Sequence, residues 1–160
     1  MPELWGILFK DMPQELMAQY GEPTYAEWAT YTALTMYALH QQGRSIADNN
    51  MHRKDVSLGK ALARLIVNDD DKDGRERIAK RLNAFATAYD MTEAAYYLRG
   101  LIQFLRTNDV GLDYVQLALD LYKFQFPERA PGVRLKWGQD FYRATVNDNT
   151  DKEGKAENNG

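Results

Sequence analysis

The sequence predicts an all-α protein, a compact bundle of about six to seven helices. Apolar residues recur at helical spacing in most segments, capping residues stand before several of these segments, and no segment alternates apolar and polar residues as a strand would. With 160 residues, 44% of them hydrophobic, the chain is long enough for one domain with its own core. We predict a single helical domain over residues 1–146, with small lobes at residues 1–68 and 74–146 as an open alternative, and a disordered tail over residues 147–160.

The first long helix is predicted to begin after Thr24, which forms a capping box with Glu27, and to end at Gly43. It is apolar nearly all round, which is typical of a helix packed on several sides. A second helix, LGKALARLIV, follows the capping residue Ser57 and places leucines at i, i+4 and i+7. The acidic segment NDDDKDG, residues 68–74, is predicted to end it as a solvated linker.

Two further helices are predicted in the middle of the chain. The third runs from about Arg75 to Tyr89, with an apolar stripe at Ile78, Leu82, Phe85 and Tyr89. Asp90 and Glu93 form a capping box for the fourth. Its core face comprises Ala94, Leu98, Leu101, Ile102 and Leu105, and its opposite face comprises Arg99, Gln103 and Arg106.

Two helices complete the predicted bundle. Asp113 caps a fifth helix, YVQLALDLYKFQF, and the loop PERAPG separates it from the last. In that last helix, VRLKWGQDFYRA, the inward residues are Val133, Trp137, Phe141 and Ala144. Most aromatic residues fall on such stripes, so we expect them in the core rather than as platforms for bases, and Tyr142 is the best exception.

Charge is segregated along the chain although the formal net charge is −3. Residues 44–64 carry five basic and two acidic side chains, and residues 123–146 carry the same numbers. If the fold brings these two segments together, they form a basic surface on an acidic protein. Basic side chains on outer helix faces also have the simpler interpretation that they keep the protein in solution.

No pattern in the sequence indicates catalysis or a cofactor. The chain has no cysteine and lacks the usual phosphate-binding loops, metalloprotease motif, nucleophile elbow and EF-hand loop. His40 and His52 are candidates for a metal site or a general base, but we favour structural histidines that hold their loop by hydrogen bonds. The N-terminus does not look like a signal peptide and no stretch is long enough to span a bilayer, so we expect a cytoplasmic protein without membrane contact.

A series of short motifs resembles a known family. In chain order they are W-x5-L-x-x-YALHQQ at 28–42, MHRKDVSLGKALARL at 51–65, RLNAFATA at 81–88, YLRGLIQFLR at 97–106, LDYVQLALDLYKFQFPE at 112–128 and VRLKWGQDFYR at 133–143. Together they resemble the small subunit of the type I-E CRISPR surveillance complex Cascade, the CasB family. Members of this family usually carry another helical segment before the PELW at residues 2–5, so any basic contacts of that segment are expected to be missing here.

The resemblance implies a non-catalytic, all-helical subunit without cofactor or metal. Its implied protein partners are the Cascade backbone subunits, the large subunit and a second copy of itself. Its implied nucleic-acid partners are the heteroduplex of guide RNA and target DNA and the displaced DNA strand, which together form the R-loop. Base pairing supplies the sequence specificity, so the subunit needs only backbone contacts.

The same resemblance implies which residues contact nucleic acid: Arg53, Lys54, Lys60, Arg81, Arg99, Arg129, Arg134, Lys136 and Arg143. Two alternatives remain open. One is a purely structural spacer between protein subunits, without direct nucleic-acid contact, because its many aromatic residues suit interfaces. The other is a metal-dependent hydrolase that uses His40 and His52.

Overall fold

A computed structural model of the chain describes residues 10–18, 21–66 and 71–157. In these ranges six α-helices follow one short 3-10 helix at Gln14–Leu16. The helices are α1 Tyr25–Gln41, α2 Leu58–Ala63, α3 Lys72–Ala86, α4 Met91–Thr107, α5 Tyr114–Phe124 and α6 Ala130–Glu157. The β-pairing in the same ranges is one isolated bridge between His52 and Leu112, so the all-α prediction is confirmed. None of the helices that could be searched is long and apolar enough to cross a bilayer.

Helix α1 begins with the predicted capping box. The Thr24 hydroxyl accepts a hydrogen bond from the Glu27 backbone N–H at 3.1 Å, and the Glu27 carboxylate accepts one from the Thr24 N–H at 3.0 Å. The same carboxylate accepts the Ala18 N–H at 2.6 Å, which fastens the preceding segment to the helix. The helix ends at Gln41, and Gly43 has a φ of +78°, a conformation that glycine adopts without steric cost.

The core forms where α4 and α6 pack against the other helices. All five residues of the predicted α4 face are completely buried, as are Trp137 and Phe141 of α6. The Trp137 ring lies 4.8 Å from the Phe85 ring of α3 and 5.7 Å from the Phe124 ring of α5, measured between centroids. Helices from both sides of the acidic segment therefore share one hydrophobic core.

Helix α2 crosses closely over α6 at Gly59. A Cβ atom at Gly59 would lie 2.3 Å from the Trp137 carbonyl oxygen and 2.8 Å from the Phe141 nitrogen. Only glycine lets the two backbones pack at this separation. This contact joins the two basic segments, because α2 lies in residues 44–64 and this part of α6 lies in residues 123–146.

The predicted end of α2 and the predicted start of α3 are wrong. Helix α2 ends at Ala63, because Leu65 and Ile66 bond three residues back, to Leu62 and Ala63, and tighten the chain into a turn. Helix α3 begins at Lys72 rather than Arg75, since the Asp71 side chain caps it by accepting the Gly74 N–H at 2.8 Å.

The other end of α3 and the last loop also differ from the prediction. Helix α3 ends at Ala86, and this leaves Tyr89, a predicted core residue, 93% exposed. The acidic segment is not a linker throughout, because its last residues cap and start α3. Helix α6 begins inside PERAPG, where Pro131 is tolerated because the first helical turn needs no N–H from it. The backbone is helical to Glu157, while the predicted domain bounds and tail disorder stay predictions.

Candidate nucleic-acid interface

All nine basic residues implied by the resemblance have exposed side chains. They lie in three groups: Arg53, Lys54 and Lys60 around the turn before α2; Arg81 and Arg99 across a cleft between α3 and α4; and Arg129, Arg134, Lys136 and Arg143 at the start and along α6. The two salt bridges in the described residues, Arg44 with Asp109 and Lys80 with Glu76, involve none of the nine. None of the nine therefore forms a salt bridge in the described parts of the chain, although, after the hydrogen bond from Asn49, the charge of Arg53 also helps to lower the pKa of Asp109.

The turn before α2 is held rigidly by the segment before α5. The Arg53 N–H donates to the Leu112 carbonyl at 2.9 Å, and the Leu112 N–H donates to the Met51 carbonyl at 2.8 Å. Asp55 adopts a φ of 65°, and its N–H donates to the Asp113 carboxylate at 2.9 Å. The Lys60 ammonium is 3.5 Å from the Asp55 carbonyl, which places Lys60 beside the same turn. The turn thus presents its basic side chains from a fixed backbone.

Asp113 serves both the turn and helix α5. One carboxylate oxygen accepts the Gln116 N–H at 3.0 Å and caps α5, while the other accepts the Asp55 N–H. Burial opposes ionisation of Asp113, but these hydrogen bonds outweigh it and lower its pKa below the ordinary value. The charged form of Asp113 is therefore the one that holds the turn.

Arg81 and Arg99 meet at a cleft between α3 and α4. The cleft has a volume of about 560 Å³, and Lys80, Tyr96, Gly100 and Gln103 also line it. The Arg81 guanidinium carbon lies 4.5 Å from the centre of the Phe104 ring, a cation–π contact that keeps the charge at the cleft wall. No acidic side chain lines the cleft as described.

Of the four basic residues at the start and along α6, two pack against other side chains or backbone and two do not. The Arg134 side chain donates from Nε to the Ala86 carbonyl at 2.6 Å, so it caps the C-terminal end of α3, and its guanidinium lies over the Phe124 ring at 5.5 Å. Arg129 lies 5.0 Å from the Phe126 ring. Lys136 and Arg143 make no hydrogen bond or ion pair with the described residues.

Both histidines are engaged by Tyr114. The His40 ring nitrogen Nδ1 and the Tyr114 hydroxyl are 2.8 Å apart, and His52 Nδ1 accepts the Tyr114 backbone N–H at 3.1 Å. Burial lowers the pKa of His40 to about 4, so His40 is neutral at pH 7. Burial also raises the pKa of the Tyr114 hydroxyl well above its usual value. Through these contacts His40 joins α1 to α5 and His52 joins the loop before α2 to the start of α5, as expected of structural histidines.

Tyr96 lines the cleft but is not among the predicted site residues, and Arg106 does not lie on the open face where it was expected. Tyr96 is 74% exposed, more than the favoured Tyr142 at 58%. A signal was available, since Tyr96 precedes Arg99 by three residues and Gln103 by seven, on the face opposite the core. Arg106 was predicted to share that open face, but its Nη2 donates to the Gln42 carbonyl at 3.2 Å and the side chain is only partly exposed.

An apolar groove lies on another side of the bundle, between α1 and α5. Its volume is about 740 Å³, and its walls include Leu34, Val115 and Leu119, which are 41%, 65% and 50% exposed. No lysine, arginine, aspartate or glutamate lines the groove as described. Exposed leucine and valine side chains around one groove are typical of a surface that another protein covers.

Comparisons with known proteins find relatives of one kind. The family model described as CRISPR-associated protein Cse2 matches residues 1–142. The crystal structure of CasB from Thermobifida fusca is similar with a TM-score of 0.69 and 33% identity, over 86% of this chain and 76% of that chain. That of M. ruber CasB is similar with a TM-score of 0.62 and 25% identity, over 82% and 71%. Among curated proteins no match is found.

Proposed function

Because this chain belongs to the Cse2 family of CRISPR-associated proteins, also called CasB, we propose that it is the small subunit of a type I-E Cascade complex. In that complex it contacts nucleic-acid backbone and stabilises the R-loop, formed by the guide-target heteroduplex and the displaced strand. Its protein partners are the other Cascade subunits, including a second copy of itself. It works in the cytoplasm and catalyses no reaction.

The main support for the proposed nucleic-acid contact is that the two basic segments meet at the α2–α6 crossing. Gly59 brings α2 against Trp137 and Phe141, so the turn with Lys54 and the helix with Lys136 and Arg143 belong to neighbouring elements. These three cations are exposed and have no carboxylate partner in the described residues. Cations of this kind displace condensed counterions from phosphates, which supports binding that is sensitive to salt and indifferent to sequence.

A non-catalytic role is supported by the state of the two histidines. His40 is completely buried, and both rings are used to fix Tyr114 and the loop around it. In the part of the chain that the structure describes, no three histidine or carboxylate side chains are grouped as metal ligands would be. A hydrolase site at His40 and His52 would have to break the contacts that order this loop.

The test compares two triple variants in a reconstituted complex. Lys54→Gln, Lys136→Gln and Arg143→Gln together remove three positive charges from the proposed interface. Lys10→Gln, Lys72→Gln and Arg77→Gln remove the same charge from exposed basic residues outside the two basic segments. We expect the first set to weaken target DNA binding and to reduce the slope of log K against log salt by about 0.7–0.9 for each lost contact, while the control set changes neither.

Equal effects of the two triple variants would refute this interface. A result in which neither variant alters affinity or salt dependence would favour the second candidate function, a spacer that contacts only protein subunits. The apolar groove between α1 and α5 supports that second role, because its exposed leucine and valine side chains suit a protein partner. Leu119→Asp would then disrupt assembly, whereas the charge variants would leave assembly and R-loop formation intact.

A further inference from the structure

The cleft between α3 and α4 combines an exposed aromatic ring with guanidinium groups on both walls. Tyr96 projects from α4 with 74% of its surface exposed, and its ring packs edge-on against Tyr97 at a centroid distance of 5.4 Å and an angle of 74°. That contact orients the Tyr96 ring and leaves most of it uncovered. An exposed tyrosine beside two arginines resembles the surfaces on which unpaired bases stack.

The charges around Tyr96 suit phosphates on either side of one base. Arg81 stands on the α3 wall, held against Phe104, and Arg99 lies one helical turn from Tyr96 on α4. Neither guanidinium has a carboxylate partner in the described residues, whereas Lys80 is partly neutralised by Glu76 at 3.4 Å. Two cations therefore remain available.

The floor of the cleft leaves room for a flat ligand. Gly100 presents no side chain there, and the nearest atom to the position of a Cβ would be Arg81 Nη1 at 3.9 Å. The volume of about 560 Å³ is in the range that holds a small molecule the size of a nucleotide. The Gln103 amide at the rim supplies a donor and an acceptor that suit any base edge.

We propose that this cleft is a stacking subsite for one unpaired base of a single DNA strand, with Tyr96 against the base and Arg81 and Arg99 on the flanking phosphates. The proposal rests on the proposed function, and it deepens that function by naming the strand that the cleft receives. A duplex hides the faces of its bases within its own stack, so it gains nothing from Tyr96. The cleft thus selects the displaced strand over the heteroduplex.

The test uses the whole 160-residue chain and two fluorescent probes of equal length, an oligo(dT) strand and a blunt DNA duplex. Binding is followed by fluorescence anisotropy at low salt. Tyr96→Leu keeps an apolar side chain but removes the ring, Tyr96→Phe keeps the ring, and Tyr89→Leu changes another exposed tyrosine outside the cleft. We expect Tyr96→Leu to weaken oligo(dT) binding about tenfold and to leave duplex binding unchanged. We expect the other two variants to bind like the native chain.

Three results would overturn the proposal: oligo(dT) binding unaffected by Tyr96→Leu, an equal loss for strand and duplex, or no binding of oligo(dT) by the native chain at low salt. The proposed function is tested separately by the salt dependence of the reconstituted complex with the Lys54, Lys136 and Arg143 variants. Failure of the stacking subsite with a normal response of those variants leaves the proposed function in place.

Discussion

The tight crossing at Gly59 makes a quantitative prediction for Gly59→Ala. The added Cβ would lie 2.3 Å from the Trp137 carbonyl oxygen, so α2 would have to retreat from α6 by about 1 Å to reach ordinary van der Waals contact. Two of the three nearest atoms belong to the α6 backbone and cannot rotate away. Overpacking of this kind costs about 3 kcal/mol, and the better helix propensity of alanine returns about 1 kcal/mol. We therefore expect a net loss of about 2 kcal/mol.

The chain contains its own control for this substitution. Gly138 lies in α6 next to Trp137, and a Cβ there would meet nothing within 4 Å, so Gly138→Ala should stabilise the protein by about 0.5–1 kcal/mol. Urea unfolding, followed by tryptophan fluorescence and circular dichroism, measures both variants. The opposite signs should separate their midpoints by about 1.5 M. If Gly59→Ala unfolds at the same urea concentration as Gly138→Ala, or at a higher one, the crossing is not as tight as argued.

Three further predictions concern buried and capping groups. The pKa of His40 is about 4 in the folded chain and near 6.5 in the unfolded chain, so between these pH values the unfolded chain binds one more proton. The free energy of unfolding should therefore be constant above pH 6.5 and fall by about 1.4 kcal/mol for each pH unit toward pH 4. Urea titrations of His40→Gln should lack this slope. Asp120 is buried and accepts the Trp137 indole N–H at 3.2 Å. Asp120→Ala should therefore lower the free energy of unfolding, measured by chemical denaturation, by about 1–3 kcal/mol. Asp120→Asn keeps an oxygen acceptor and should lower it by less. Arg134→Ala should lower stability by about 1 kcal/mol because it uncaps α3, and a thermal shift as small as that of Lys136→Ala would contradict this role.

The parts of the fold that the sequence predicted are those specified by local spacing. Thr24, Ser57, Asp90 and Asp113 each accept the N–H of the residue three positions later, so each cap is readable within four residues of sequence. The core face of α4 follows from its period of about 3.6 residues. Such signals do not depend on how the helices are arranged in space.

The features that the sequence did not predict depend on contacts between distant segments. In the sequence, Arg134 cannot be told from a solvent-exposed basic residue. Only the packing of α6 against the end of α3 makes its side chain a cap. Tyr89 continues the apolar spacing of α3 but lies past its end, because the helix stops at Ala86. The histidines were expected to hold their loop, yet their common partner Tyr114 lies more than 60 residues away. Local patterns therefore set the elements, and tertiary contacts decide which polar residues remain available for a partner.

Basic residues that support the fold are therefore poor probes of function, whereas basic residues without structural contacts are good ones. An Arg134→Ala variant removes the α3 cap together with a positive charge, so its effect on the proposed nucleic-acid binding would not separate the two causes. Lys54, Lys136 and Arg143 support no described structure, and their removal acts on the surface alone.

The central claim, that this chain itself contacts nucleic acid in the complex, is tested most directly by site-specific photocrosslinking. A benzophenone amino acid replaces Lys54, Lys136 or Arg143 in turn, or Lys72 or Arg77 as controls, in a Cascade complex assembled with guide RNA and labelled target DNA. We predict crosslinks from the first three positions to a DNA strand or the guide RNA, and none from the controls. Crosslinks from Lys54, Lys136 and Arg143 to protein subunits alone would contradict the account and identify the chain as a spacer.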